Sequence, residues 1–331
     1  MRICFYARVP DNKLFEQVDF YSNDIKILKE LGHEVILAGN KKDIPAQCDL
    51  FFIWWWSSGI VPLLKAIGRR KPSITIGNIH YSDKSQQGYH ARPLLIKFFI
   101  NFCLKFSDVQ LATSQIEFDE LKKYFKPKNL KLLYHCIDGE KYFFSDKPRE
   151  KIILTVTRLL KLNVERKKVL EILEAFSAVK EKFSDYKLVI VGRKEDDGYQ
   201  SVFDKINQLN LSDSVELTGS ISDEEKINLY HKAKVYVQPT DYEGFGMAIA
   251  ESMACGTPVV TSKAGAVPEV AGDSALYVNP NSPQEISDAI IQLLEDDTLH
   301  SKLSREGAER IKNFFSYEKR KIGIKNIINN L

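Results

Sequence analysis

The sequence is poor in the residues that would settle its chemistry at a glance. Only five of its 331 residues are cysteine (Cys4, Cys48, Cys103, Cys136 and Cys255), and no two stand at a CxxC or other metal-ligand spacing. A zinc ribbon and a disulfide framework are excluded. The expectation is small core residues in a reduced, cytoplasmic setting. No Asp-x-Asp metal motif is evident, and no signal-peptide pattern accompanies the strand-like RICFYA at the start. Net charge is only +3, too little to argue for nucleic acid. Long apolar runs are missing too. The nearest is LLIKFFINFCLKF, Leu94 to Phe106, too short to cross a bilayer and interrupted by Lys97 and Lys105. It reads either as a core helix or as one lying in a membrane interface. The triple tryptophan Trp54-Trp55-Trp56 leaves a similar choice, between lining a pocket and meeting lipid.

What is present is ordinary globular composition, 44% hydrophobic and 27% charged, over a length that suits two domains. Residues 1–150 carry 23 Lys+Arg against 17 Asp+Glu, and the remainder 24 against 27. A mildly basic half beside a mildly acidic one fits an anionic surface or substrate on the first half, or scattered solvated charge.

The dominant rhythm is strand then helix. Apolar runs at Ile3–Ala7, Val35–Ala38, Leu50–Ile53, Ile74–Ile79 and Val109–Ala112 alternate with amphipathic stretches. A second series begins with KIILTVTR near Lys151 and continues through DYKLVIVG, Val215–Leu217, Val235–Val237, Pro258–Thr261 and Ala275–Val278. Short continuous apolar strands between helices predict α/β architecture: two doubly wound, Rossmann-like parallel sheets. The polar, turn-rich DGEKYFFSDKPREK sets the boundary. The expected domains are 1–143, 144–314 and a terminal helix over 315–331.

Ligands of such sheets sit at the carboxyl ends of the strands. After the strand VYVQPT comes the loop Asp241-Tyr242-Glu243-Gly244-Phe245-Gly246, then a helix from Met247 to Cys255 that Gly256 caps. Gly244 and Gly246 let the backbone approach a ligand, and helix-start amides make an anion site. Glu243 stands at its mouth and Glu251 about two turns on, a separation suited to a long ligand with sugar hydroxyls at either end of its phosphates. The bland reading is a solvated helix with a glutamate near its positive end. Basic residues at other strand ends weigh against it. Arg158 follows one strand, Arg166-Lys167-Lys168 is expected to open the next helix, and Gly192-Arg193 follows another strand.

The run EGFGMAIAESMACGTPVV followed by AGAVPEV resembles the family-4 type of retaining, nucleotide-sugar-dependent glycosyltransferases of the GT-B fold, whose signature pairs two glutamates as Glu243 and Glu251 are paired. The resemblance covers about Lys151 to Pro280. It implies that Glu243 meets the donor sugar and Glu251 the ribose, and that amides around Phe245, Gly246 and Met247 face sugar and phosphate. It further implies that Arg158 and Lys167 hold the diphosphate, with Lys168 standing where glycine is usual. Gly219, within Thr218 to Ser220, falls in the segment that holds the base. His80, in GNIHYSD, matches a histidine that faces the donor sugar. Two departures fall in the first half: ARVPDNKLF lacks the usual paired glycines, and His135-Cys136-Ile137-Asp138 replaces Asn-Gly-Val-Asp.

The function so implied is retaining transfer of a sugar from a nucleotide-diphosphate sugar to an acceptor hydroxyl, with no metal and no cofactor beyond the donor. The implied setting is cell-surface polysaccharide or glycolipid synthesis. The expected partners are that donor and a glycan or lipid-linked glycan, with peripheral contact to the inner face of an anionic membrane. Competing readings are a nucleotide-sugar-binding protein without turnover and a sugar-nucleotide epimerase of the same fold.

Overall fold

The computed structural model describes residues 1–83 and 88–331. The chain forms two compact units: Met1–Cys136 together with Phe315–Leu331, and Ile137–Phe314. The stretch 137–143 thus belongs to the second unit. There the Tyr142 ring packs edge-on against Tyr230, and the Phe143 carbonyl lies 2.9 Å from His231 Nε2.

The first unit is a six-stranded sheet of β1 (Arg2–Tyr6), β2 (Glu34–Ala38), β3 (Leu50–Trp54), β4 (Ser73–Ile76), β5 (Val109–Ala112) and β6 (Leu130–Leu132), in the order β2-β1-β3-β4-β5-β6. Every pairing is parallel. Parallel strands need helical crossovers, so both faces are covered and successive residues enter opposite cores. Ile3 and Phe5 of β1 with Leu50, Phe52 and Trp54 of β3 fill one core. Cys4 and Tyr6 with Phe51 and Ile53 fill the other. This is why these strands read as unbroken apolar runs.

The tryptophans break this alternation, because β3 ends at Trp54 and Trp55 takes a left-handed φ of 70°. Trp54 and Trp56 are buried in opposite cores and Trp55 is half-buried, so two of the three are core residues. β4 stops at Ile76, short of the expected Ile79. A Cβ on Gly77 would lie 2.5 Å from the Trp56 ring, so the chain turns over the indole there. All five cysteines are buried and free.

The terminal helix Tyr317–Asn329 is tied into this unit by charge. Arg320, 2% exposed, forks onto Asp24 at 2.5 and 2.9 Å and donates to the carbonyls of Leu133 and Tyr134 at 3.1 and 2.6 Å. Planar guanidinium geometry matches a carboxylate in this way.

The second unit comprises β7 (Glu150–Val156), β8 (Lys187–Val191), β9 (Val215–Gly219), β10 (Ala233–Gln238), β11 (Val259–Thr261) and β12 (Leu276–Tyr277). Their order is β12-β11-β10-β7-β8-β9, again all parallel. Strand order reverses between β7 and β10, so the loops after these two diverge at a crevice. The core joins Ile153, Ile190 and Val235 to Leu173 and Phe176 of the helix Val169–Lys182 and to Ile290 of the helix Pro283–Glu295.

Candidate functional site

The switch point of the second unit brings together residues from the loops after β7 and β10. The helix expected to open at Arg166 is in fact two. Lys161–Arg166 ends at Lys167, and Val169–Lys182 begins after Lys168, whose φ of 53° is left-handed. That kink needs a conformation glycine adopts freely and lysine does not, which accounts for the glycine usual at this position. The reversal turns Arg166 and Lys167 toward β10. The Arg166 carbonyl is bonded by the Asp241 amide at 2.8 Å and the Thr240 hydroxyl at 3.1 Å, and Lys168 pairs with Asp241 at 2.8 Å.

Glu243 is the centre of this cluster. Its Oε1 accepts from Gln238 Nε2 at 3.0 Å and lies 3.1 Å from Arg166 Nη1 and 3.4 Å from Lys167 Nζ. Gln238 Oε1 in turn accepts from Lys167 at 3.3 Å and Tyr236 at 2.6 Å. Burial alone would push the Glu243 carboxyl up, but Lys167 and Arg166 outweigh it and hold it below the usual carboxylate range. Burial draws the Lys167 ammonium below the ordinary lysine value, with Glu243 opposing. Among the described residues Glu243 Oε2 has no hydrogen-bond partner, and neither does the buried Arg166 Nε. One carboxylate oxygen is therefore fixed by three donors and the other is left to accept.

The main chain around Glu243 is fixed as well. Its carbonyl accepts from the Ala266 amide at 2.9 Å. Gly265, at φ +56°, allows this approach, because a Cβ there would lie 2.2 Å from that same carbonyl oxygen. Gly244 is half-buried and Phe245 buried; Gly246 adopts φ +96° at the N-cap of the helix Met247–Ala254. Within that helix the Ala250 amide bonds Gly246 O at 3.0 Å, so the amides of Met247 and its two successors precede the helical ladder. Gly256 caps the helix at φ +75°.

Glu251 is 5% exposed, and its Oε2 accepts from Tyr230 at 2.9 Å and pairs with Lys226 at 3.2 Å. Burial and the Glu251 charge push the Tyr230 phenol well above its ordinary value, so it remains a donor.

The β7 and β8 ends lie side by side. Arg158, largely exposed, donates from Nη2 to both Glu195 oxygens at 2.9 and 2.8 Å, and Arg193 Nε lies 3.2 Å from Glu195. Gly192 serves packing, since a Cβ would meet Thr157 O at 1.6 Å. Gly219 closes β9 at φ +74°, and its carbonyl accepts from the Gly192 amide at 3.1 Å.

His80 belongs to the first unit, buried just beyond β4. Two glutamates of the helix Gln115–Tyr124 hold its loop: Glu117 accepts from the Ile79 amide at 2.8 Å, and Glu120 from the Tyr81 and Ser82 amides at 2.6 and 3.1 Å.

Sequence reasoning missed Arg166 as a partner of Glu243, and it missed Gln238, Glu195, Lys226 and Tyr230. Gln238 had a signal, an amide ending the apolar run Val235-Tyr236-Val237. The others are polar residues on helices or loops, where polarity is ordinary.

Comparison with known proteins places the chain in a family. The model of the family described as glycosyl transferases group 1 matches residues 140–310. The chain is 27% identical over 233 residues to N-acetyl-alpha-D-glucosaminyl L-malate synthase of Bacillus anthracis, covering 66% of this chain and 59% of that one. It is 40% identical over 100 residues to O-antigen chain mannosyltransferase B of Escherichia coli, covering 30% and 26%. The chain thus spans less than two thirds of the length of these curated relatives. Among solved structures, Anabaena HepE in complex with UDP and glucose superposes with a TM-score of 0.78 at 17% identity, covering all of both chains. Sucrose-phosphate synthase from Thermosynechococcus elongatus gives 0.73 at 22%, covering 97% of this chain and 80% of that one. These structural likenesses establish the GT-B fold. With the family model spanning more than half of its length, the chain belongs to the glycosyl transferases group 1 family.

Proposed function

We propose that the chain is a retaining glycosyltransferase that moves a sugar from a nucleotide-diphosphate sugar to an acceptor hydroxyl, in polysaccharide or glycolipid synthesis. The observation that carries this is Glu243: a buried carboxylate with Oε1 held by Arg166, Lys167 and Gln238 and Oε2 free to accept, beside the start of a helix. A free carboxylate oxygen is a good acceptor for donor-sugar hydroxyls. Glu251, with Lys226 and Tyr230 fixing it, takes the ribose hydroxyls. HepE was crystallised with UDP and glucose, which supports a ligand of this class.

In the reaction, the bond from the anomeric carbon to the diphosphate oxygen breaks and a bond to the acceptor oxygen forms on the same face. The acceptor's proton passes to the leaving phosphate oxygen. Arg158 and Lys167 stabilise the charge that develops there, with the amides around Phe245, Gly246 and Met247 and with Arg193 at its edge. Arg158 exchanges Glu195 for phosphate. Gly192 and Gly219 shape the backbone that faces the base, and His80 positions the sugar. With side chains supplying the positive charge, no metal is called for. The acceptor is a glycan or a lipid-linked glycan.

Thermal-shift measurement against UDP-, GDP-, ADP- and dTDP-sugars, in chelator, tests the reading. One donor should raise the melting temperature, and it should be consumed with retained configuration once an acceptor is supplied. Silence across the panel would remove the donor site. Binding without any turnover would leave a nucleotide-sugar-binding protein, and acceptor-free conversion an epimerase.

A further inference from the structure

Two neighbouring helices of the first unit, Ile60–Gly68 and Leu94–Phe106, each bury one side. Leu63 and Ala66 on the first, with Ile100, Cys103 and Leu104 on the second, enter the core beneath. The outer sides are apolar too. Leu64, Ile67, Leu94, Leu95, Phe98 and Phe106 are exposed, Leu94 at 84% and Phe98 at 57%. Leu94, Phe98, Phe102 and Phe106 recur at four-residue spacing. Phe102 stands 6.1 Å from Phe98 and 4.6 Å from Phe106, centroid to centroid, forming a ladder of rings along one stripe. A helix on a globular surface normally turns polar residues outward.

The charge on these two helices has one sign. Neither helix contains an acidic residue, and between Asp49 and Asp108 the sequence has a single one, Asp83, against eight lysines and arginines. Lys105 lies 5.4 Å from the Phe106 ring centre, and Lys97 lies 5.6 Å from that of Tyr89. Each ammonium thus lies over an aromatic ring of this region, and Lys97 Nζ also donates to the His90 carbonyl at 2.8 Å, so positive charge is held beside exposed apolar side chains, the combination that suits a lipid headgroup layer. Among the described residues no helix is long and apolar enough to cross a membrane, so contact of this kind lies in the interface plane.

We propose that this two-helix face seats the protein on an anionic lipid surface, with Leu94, Phe98 and Phe106 entering the headgroup boundary and Lys97 and Lys105 meeting lipid phosphates. The proposal stands independently of the transferase reading. A second copy of the chain fits the face poorly: a twofold contact would set lysines against a surface with no carboxylate on either helix to answer them.

Cosedimentation of the intact chain with vesicles tests this. The protein should pellet with phosphatidylcholine vesicles containing about a third phosphatidylglycerol and be released as salt rises to about 0.5 M. Phe98→Ser should weaken the partition about 10-fold. Lys97→Gln and Lys105→Gln should each weaken it about 5-fold. Circular dichroism and melting temperature confirm that each variant is folded, which the exposure of these side chains favours. The proposal is overturned if the folded wild type stays in solution, if Phe98→Ser pellets unchanged, or if binding to neutral vesicles is equally strong. It is also overturned if sedimentation velocity shows a dimer that Phe98→Ser dissolves, which would assign the face to a second copy. The nucleotide-sugar thermal shift, read on the same samples, separates failure here from failure of the transferase reading.

Discussion

Glu117 in the first unit and Glu243 in the second are both buried glutamates serving loops just beyond parallel strands, and their surroundings drive them in opposite directions. Glu117 accepts from the Ile79 and Thr113 amides at 2.8 and 2.7 Å and from the Thr113 hydroxyl at 3.1 Å. Both its oxygens are spent on the chain itself. Burial, with no cation beside it, pushes its carboxyl up to about 8. Glu243 has Arg166 and Lys167 on one oxygen and is held down despite burial, and its other oxygen accepts no hydrogen bond among the described residues. A carboxylate whose acceptors are all satisfied by its own loop is a brace. One that is held charged with an oxygen left to accept suits the donor-sugar role proposed for Glu243.

The largest effect is expected where a buried charge loses its partner. Arg320→Ala leaves Asp24 alone inside the first unit and should cost about 3–5 kcal/mol of stability by denaturant unfolding. The thermal shift given by a nucleotide sugar should survive wherever the variant is folded. Loss of both together would dissolve the distinction between a bracing charge and a binding one.

Arg158→Ala should lower turnover about 10²-fold while leaving stability nearly unchanged, because its partner Glu195 is reached from an exposed position. Steady-state rates close to wild type would remove Arg158 from the mechanism. Gly265→Ala places a Cβ against the Glu243 carbonyl and forces a left-handed alanine, so a loss of about 1–3 kcal/mol is expected, with weakened donor binding. A stable Gly265→Ala protein with full donor affinity would show that the Glu243 backbone need not be held.

The smallest effects concern pH. Glu117 has a folded value raised from the ordinary 4.5 to about 8, so its contribution favours folding fully below about 4.5 and is lost as pH climbs toward 8. Glu243 is lowered, so its contribution is present above the unfolded value and is lost as pH falls through the folded one. Glu117→Gln should therefore flatten the decline in melting temperature between pH 5 and 8, and Glu243→Gln should flatten the decline on the acid side. Equal slopes for both variants would contradict the opposed environments.

The contrast between the units also explains what was legible in the sequence. Strands such as β3 and β8 are apolar on both faces, so their positions follow from periodicity alone. β6, a three-residue edge strand half exposed to solvent, carries no such pattern and was not recognised. Around the site, Glu243, Glu251 and Gly246 stand in one local run, and that run with the basic residues at other strand ends carries the resemblance through which Lys167 is placed. Arg166 reads in sequence as part of a basic run opening a helix, because nothing local announces that Lys168 turns left-handed and redirects its neighbours. Lys226, Tyr230 and Gln238 reach the glutamates only through tertiary packing. The exposed face of Leu94–Phe106 was ambiguous for a related reason: composition shows that the helix is apolar, and only the fold shows which side is covered.

The central claim is that Lys167 and the fixed Glu243 grip the donor. Calorimetric titration of wild type and Lys167→Ala with the nucleotide sugar that gives the greatest thermal shift tests it most directly. The account predicts measurable heat with wild type and a loss in affinity of about 10-fold or more in the variant, as expected for a charged contact to phosphate. Equal affinity in the two proteins would contradict it.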